Sequence, residues 1–133
     1  MSVLKIAEIL CKQLVEVGFV VQRYDAYSTN SIYLKLDYGV CNSIRISDHP
    51  GKKHLKYRYN IGPFITEYKY VRDKFPRFYY REDKIKNLVK KILEDRKEKL
   101  DKYGLCNYQK FMDQNQIDNS DSKGFWRNAK IIN

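Results

Sequence analysis

Ser31-Ile32-Tyr33-Leu34-Lys35-Leu36-Asp37-Tyr38 sets Ile32, Leu34 and Leu36 on one side of an extended chain and Tyr33, Lys35 and Asp37 on the other. Period-two alternation of this length predicts a strand in a sheet with one buried face. Gly39 marks a turn, and residues 42–48 alternate again, with Ile44 and Ile46 opposed to Ser43, Arg45 and Ser47. The run Asp48-His49-Pro50-Gly51-Lys52-Lys53 carries Pro-Gly turn chemistry and reads as a hairpin connection. Beyond it Leu55, Tyr57, Tyr59 and Ile61 alternate with Lys56, Arg58 and Asn60. Upstream, residues 19–24 read as a first strand, followed by a polar turn at 26–30. The pattern predicts an antiparallel meander of four strands with one apolar and one polar face. Residues 64–71 read either as a fifth strand or as an irregular excursion, and Pro76 argues against a helix through that point.

Outside this stretch the period lengthens. Val3, Ile6, Ala7, Leu10, Leu14 and Val17 fall at steps of three and four, the stripe of an amphipathic helix. Ser2 stands where an N-cap belongs and Gly18 where a left-handed glycine ends a helix. Ile85, Leu88, Val89, Ile92, Leu93 and Leu100 predict a second, long helix that stops at Gly104. A short third helix over 107–116 would use Tyr108, Phe111 and Met112, with a polar, loose segment at 117–124 and Phe125 and Trp126 as anchors of the tail. The order α-β-β-β-β-α predicts an α+β fold with helices on one face of the sheet. The expected organisation is one domain over 1–116 and a C-terminal tail over 117–133. The helices should cover Ile32, Leu34, Ile44, Ile46, Leu55 and Tyr57, leaving the other face to solvent or a partner.

The 133 residues, 43% hydrophobic and 32% charged, are those of a globular chain. At this size no metal or disulfide is needed for folding, and no cofactor is expected. No apolar run reaches the roughly 18 residues of a membrane span. Lys5, Glu8, Lys12 and Glu16 interrupt the N-terminal apolar residues, so they read as a helix rather than a signal peptide. Three widely spaced cysteines, without a C-x-x-C pair, read as reduced packing thiols of a cytoplasmic protein. The abundance of Lys, Asn, Ile and Tyr suggests an AT-rich bacterial or phage genome.

The net charge of +10 points to an anionic partner. It is not spread evenly: residues 1–30 are neutral, 31–61 carry +4 and 62–103 carry +5. Lys35, Arg45, Lys56 and Arg58 share the predicted non-core face with Tyr33, and Lys52 and Lys53 extend it at the hairpin tip. Cations interleaved with an aromatic ring suit phosphate contact and base stacking. The same residues also suit the ordinary solvated face of an antiparallel sheet. A second cluster, residues 68–81, holds five bases and six aromatics; most rings there read as packing, with Arg72, Lys74, Arg77 and Arg81 as surface candidates. The alternating charges of the long helix read mainly as a solvated face.

Only one local group carries reactive side chains: Asp48, His49 and His54 around the hairpin. Two imidazoles and a carboxylate are the parts of a metal site or of acid–base chemistry on a phosphodiester. The H-x4-H spacing lacks two further ligands, and Lys52 and Lys53 would repel a cation, so a structural hairpin is the stronger reading.

The segments Ser-Ile-Arg-Ile-Ser-Asp-His (43–49), Arg-Phe-Tyr-Tyr (77–80) and Lys-Tyr-Gly-Leu-Cys-Asn-Tyr-Gln-Lys-Phe-Met (102–112) are similar to parts of small proteins encoded by phages and mobile elements of low-GC Gram-positive bacteria. The resemblance implies a protein that binds host or phage nucleoprotein machinery, including as an inhibitor of host defence of the anti-CRISPR kind. The sequence thus leads to a non-catalytic basic module that engages nucleic acid or a nucleic-acid-binding host complex. The alternatives are an adaptor or inhibitor docking on an acidic groove of a host enzyme, and a small metal-dependent nuclease built on His49 and His54.

Overall fold

A computed structural model of the protein describes residues 1–27, 29–48, 59–72, 75–120 and 129–132. Helix α1 spans Val3–Glu16. The Ser2 hydroxyl accepts from the Lys5 amide at 3.1 Å, which satisfies one of the amides a helix start leaves open. At the other end Phe19 N–H donates to Leu14 O and Gly18 N–H to Val15 O, both at 3.0 Å, with Gly18 at φ +91°. That pair of bonds is a Schellman motif, and the left-handed conformation is why glycine stands there. The buried stripe is Val3, Ile6, Ala7, Leu10, Cys11 and Leu14. Val17, placed on the same stripe by spacing, lies past the last turn and is exposed.

The strands are β1 (Val21–Asp25), β2 (Ile32–Leu36), β3 (Ser43–Ile46), β4 (Tyr59–Gly62), β5 (Tyr68–Arg72), β6 (Phe75–Arg81) and β7 (Lys130–Ile132). Among the described residues they form one sheet in the order β5-β6-β4-β3-β2-β1-β7. The fold is α+β, but the sheet is mixed. Antiparallel pairing in chain order holds for β1-β2-β3, whereas β4 runs parallel to both β3 and β6. The expected hairpin between β3 and β4 is therefore corrected: parallel neighbours are not the arms of a tight turn. Leu55, Tyr57 and the proposed hairpin residues from His49 to Arg58 lie outside the described residues.

Residues 64–81, left open by pattern, supply β5 and β6 as an antiparallel pair. Pro76 sits where β6 has run past β4, whose pairing begins at Phe78, so its missing N–H breaks no bond on that side. Helix α2 (Ile85–Tyr103) ends at Gly104 with φ +82°. Helix α3 (Leu105–Ser120) is longer than spacing predicted and continues through 117–120, where a loose segment was expected. Phe125 and Trp126 lie outside the described residues, but the tail does return: β7 pairs with β1 and covers its outer edge.

The core lies between helices α1 and α2 and one face of the sheet. Val21, Leu34, Leu36, Ile44, Ile46, Tyr59 and Ile61 on that face are fully buried against Leu10, Leu14, Leu88 and Ile92. Burial of this kind is the main stabilising term, at about 25 cal/mol per Å² of apolar surface. Polar ties lock the layers together. Arg96 of α2 donates to Val17 O at 2.9 Å and lies 3.8 Å over the Phe19 ring. The buried Asp95 accepts from the Tyr59 hydroxyl and faces Lys91 Nζ at 3.3 Å. Asp37, expected on the polar face beside Lys35, is instead buried in a left-handed turn, where it accepts from Val20 N–H at 2.9 Å and the Tyr108 hydroxyl at 2.5 Å.

Candidate functional site

The sheet face opposite the helices is built by strand parity. Register aligns Tyr24 of β1 with Tyr33 of β2, Tyr33 with Arg45 of β3, and Arg45 with Asn60 of β4. Asn60 aligns with Tyr79 of β6, and Tyr79 with Tyr68 of β5. One row of side chains therefore crosses six strands: Tyr24, Tyr33, Arg45, Asn60, Tyr79, Tyr68. At about 4.8 Å per strand it extends about 24 Å. Gln22, Lys35 and Ser43 form a shorter row to one side. Arg77 of β6 and Tyr70 of β5 pair on that same side, because β3, β4 and β6 run parallel.

The ends of the long row are aromatic. Tyr68 and Tyr79 stack with centroids 4.6 Å apart and planes 9° from parallel, while Tyr24 and Tyr33 meet tilted at 6.4 Å. Burial pushes the hydroxyls of Tyr68 and Tyr79 up from their ordinary value, so both stay neutral through the physiological range. The centre is polar and deeply buried, Arg45 at 3% and Asn60 at 2% exposure. Arg45 Nη2 donates to the Ser31 hydroxyl at 3.2 Å, yet among the described residues its Nε, both amide atoms of Asn60, the Tyr79 hydroxyl and Gln22 Oε1 have no hydrogen-bond partner. Each such atom costs about 1–3 kcal/mol when buried unbonded.

Of the residues singled out by sequence, Tyr33, Lys35 and Arg45 do share this face. Tyr33 and Lys35 are half-buried, and burial draws the Lys35 ammonium below its ordinary value. Arg45 is corrected from a surface cation to a buried one, and so is Arg77, at 9% exposure. Neither presents a free cation to a phosphate. Arg81 lies on the same face, exposed, with Nε 3.8 Å from Asp83. Arg72 belongs to β5 by its backbone. Lys52, Lys53, Lys56, Arg58 and Lys74 lie outside the described residues, as do His49 and His54. Asp48 accepts from the Asn30 side chain at 3.2 Å. Among the described residues no three His, Cys, Asp or Glu side chains gather as a metal site.

Spacing missed Tyr24, Asn60, Tyr68 and Tyr79 as members of one row. Asn60 has the parity of Lys56 and Arg58, so its side was readable. Its neighbours were not, because they follow from the parallel registers of β4. Along the far edge an open groove is lined by Arg23, Tyr24, Asp25, Lys130 and Ile132, and of its two cations Arg23 is already held by Asp25 at 2.7 and 3.0 Å. Among the described residues no helix is long and apolar enough to cross a membrane. Compared with protein-family models, curated proteins and solved structures, the chain matches none.

Proposed function

We propose that the protein is a non-catalytic basic binding module that engages single-stranded nucleic acid across the sheet face opposite its helices. The observation that carries this reading is the row itself, four tyrosines in two ring pairs on one face of a chain with net charge +10. Aromatic faces accept stacked bases regardless of sequence, at about 1–3 kcal/mol per base, while surrounding cations track the phosphates. Lys35 and Arg81 take the phosphate role here, and Arg45 and Arg77 do not. The sequence likeness to phage and mobile-element proteins directs such a module at host nucleoprotein machinery, defence nucleases of the CRISPR type among it. That step rests on the likeness alone.

The test is a titration of fluorescent single- and double-stranded oligonucleotides at two salt concentrations. Single strands should bind more tightly, with affinity falling on the order of tenfold or more between ~50 and ~200 mM salt. Lys35→Glu with Arg81→Glu should weaken binding to every strand alike and flatten the salt slope. Absence of binding at low salt removes the reading. A host protein that co-purifies after nuclease treatment, with no oligonucleotide affinity, would instead favour docking on an acidic protein groove.

A further inference from the structure

We propose that the centre of the cross-sheet row reads the hydrogen-bonding edge of one pyrimidine in the bound strand. The inference rests on the nucleic-acid reading above and adds base selectivity to it. Arg45, Asn60 and Tyr79 are consecutive in the row, so their backbones span about 10 Å. All three are at least nine-tenths buried, and their Nε, amide and hydroxyl atoms are without partners among the described residues. Native chains leave few buried polar atoms unbonded, and four adjacent ones on neighbouring strands call for a ligand of matching chemistry.

The donor and acceptor pattern narrows that ligand. Arg45 Nε is a donor only, Asn60 offers one donor and one acceptor in a plane, and the Tyr79 hydroxyl serves as either. A phosphate would face the lone pairs of Asn60 Oδ1, and a cation would meet the Arg45 guanidinium. A planar group with acceptors and a donor along one edge meets both. Pyrimidines carry O2, an acceptor, next to the N3 and C4 positions. O2 suits Arg45 Nε, and the N3/C4 pair suits the Asn60 amide in one orientation for cytosine and in the other for thymine or uracil. Adenine places C2–H, and guanine its 2-amino group, where Arg45 needs an acceptor. The half-buried rings of Tyr33 on one side and Tyr68 on the other hold the neighbouring bases by their faces.

Burial sets the kinetics. At 2–3% exposure Asn60 and Arg45 are reached only after a local opening of this face.

The experiment compares dT, dC and dA homo-oligomers of about 12 nucleotides, a length within the usual range of single-strand sites. Wild-type protein should bind dT and dC about tenfold more tightly than dA. Asn60→Ala should erase that gap by weakening dT and dC binding to the level of dA. Tyr79→Phe deletes one hydroxyl from an intact ring and should narrow the gap, which guards against a misfolded Asn60 variant; thermal melts of both confirm folding. A pyrimidine preference that survives both substitutions reflects strand flexibility and overturns the proposal. Equal affinity for all three oligomers also overturns it but leaves the nucleic-acid reading standing. No binding to any oligomer at low salt removes both.

Discussion

Asp37 is a carboxylate at 3% exposure, and its partners come from two distant parts of the chain, the Val20 amide and the Tyr108 hydroxyl. The alternation of residues 31–38 set it on the polar face because parity presumes an unbroken strand. Backbone φ values of 49° at Asp37 and 55° at Tyr38 break the strand there and turn the side chain under α3. Removing the hydroxyl by Tyr108→Phe leaves one oxygen of a buried charge unbonded, so urea unfolding should show a loss of about 1–3 kcal/mol. An unchanged midpoint would mean that Asp37 finds water instead. The same burial makes the fold sensitive to alkali. Burial pushes the Cys41 thiol from 9.0 to about 12, and burial with Glu67, Asp95 and Glu94 nearby pushes Tyr80 from 10.0 to about 12. Tyr108 also shifts upward, through burial and its bond to Asp37. Well below pH 9.0 these groups are protonated in both the folded and unfolded chain and contribute no pH dependence. Above it the unfolded chain loses protons that the folded chain keeps, so stability falls until the folded groups titrate near pH 12. Melting temperature followed from pH 8 to 11 should decline, and Cys41→Ala should delay the onset; a flat profile contradicts the assignment.

At the scale of elements, glycines separate two kinds of constraint. Gly62 closes β4, and a Cβ built on it would lie 2.1 Å from the Ser47 carbonyl oxygen. That atom is backbone held by the Ser47 N–H to Ile61 O bond of 3.1 Å, so neither side yields readily. Gly104 ends α2 at φ +82° with nothing within 4 Å of a Cβ. Gly62→Ala should therefore cost roughly 2–3 kcal/mol through overpacking of the β3–β4 junction. Gly104→Ala should cost about 1–2 kcal/mol through backbone conformation alone. Chemical denaturation of the two variants tests the order; a Gly104 variant weaker than the Gly62 one would contradict the close approach. Helices α1 and α2 were legible because a 3.6-residue stripe and a terminal glycine are local signals. Strands β2 and β3 were legible for the same reason at period two. The parallel setting of β4 was not, since alternation is identical in parallel and antiparallel strands and the register depends on contacts distant in sequence. The candidate site shared that fate. Parity put Arg45 on its true face, but parity sets the side of a sheet and not the depth, and the Arg45–Asn60 neighbourhood exists only through the parallel register.

For the whole molecule, the order β5-β6-β4-β3-β2-β1-β7 places β5 and β7 at the two edges of the sheet among the described residues. At one end β5 presents Lys69, exposed, along a short edge, a charged residue of the sort that discourages pairing with a second chain. At the other end β1 would be the edge were it not for three residues from the far end of the sequence. Val21, Gln22 and Arg23 pair with Ile132, Ile131 and Lys130, so the tail occupies the positions a second copy would need. The strand it covers is apolar at Val21, which is fully buried, and Arg23 is neutralised by Asp25 at 2.7 Å, so little on β1 itself would repel a partner. A chain ending at residue 128 should keep its helices and its β2–β6 core and lose the cap on β1. It should then self-associate through that edge, seen as a concentration-dependent rise in sedimentation coefficient relative to the full chain. Replacing the half-buried Tyr24 of β1 by Lys in the truncated chain should restore the original behaviour, since a charge on an uncovered edge strand opposes pairing. Identical sedimentation of the truncated and full chains across the concentration range would show that β7 is a bystander on a strand guarded by other means.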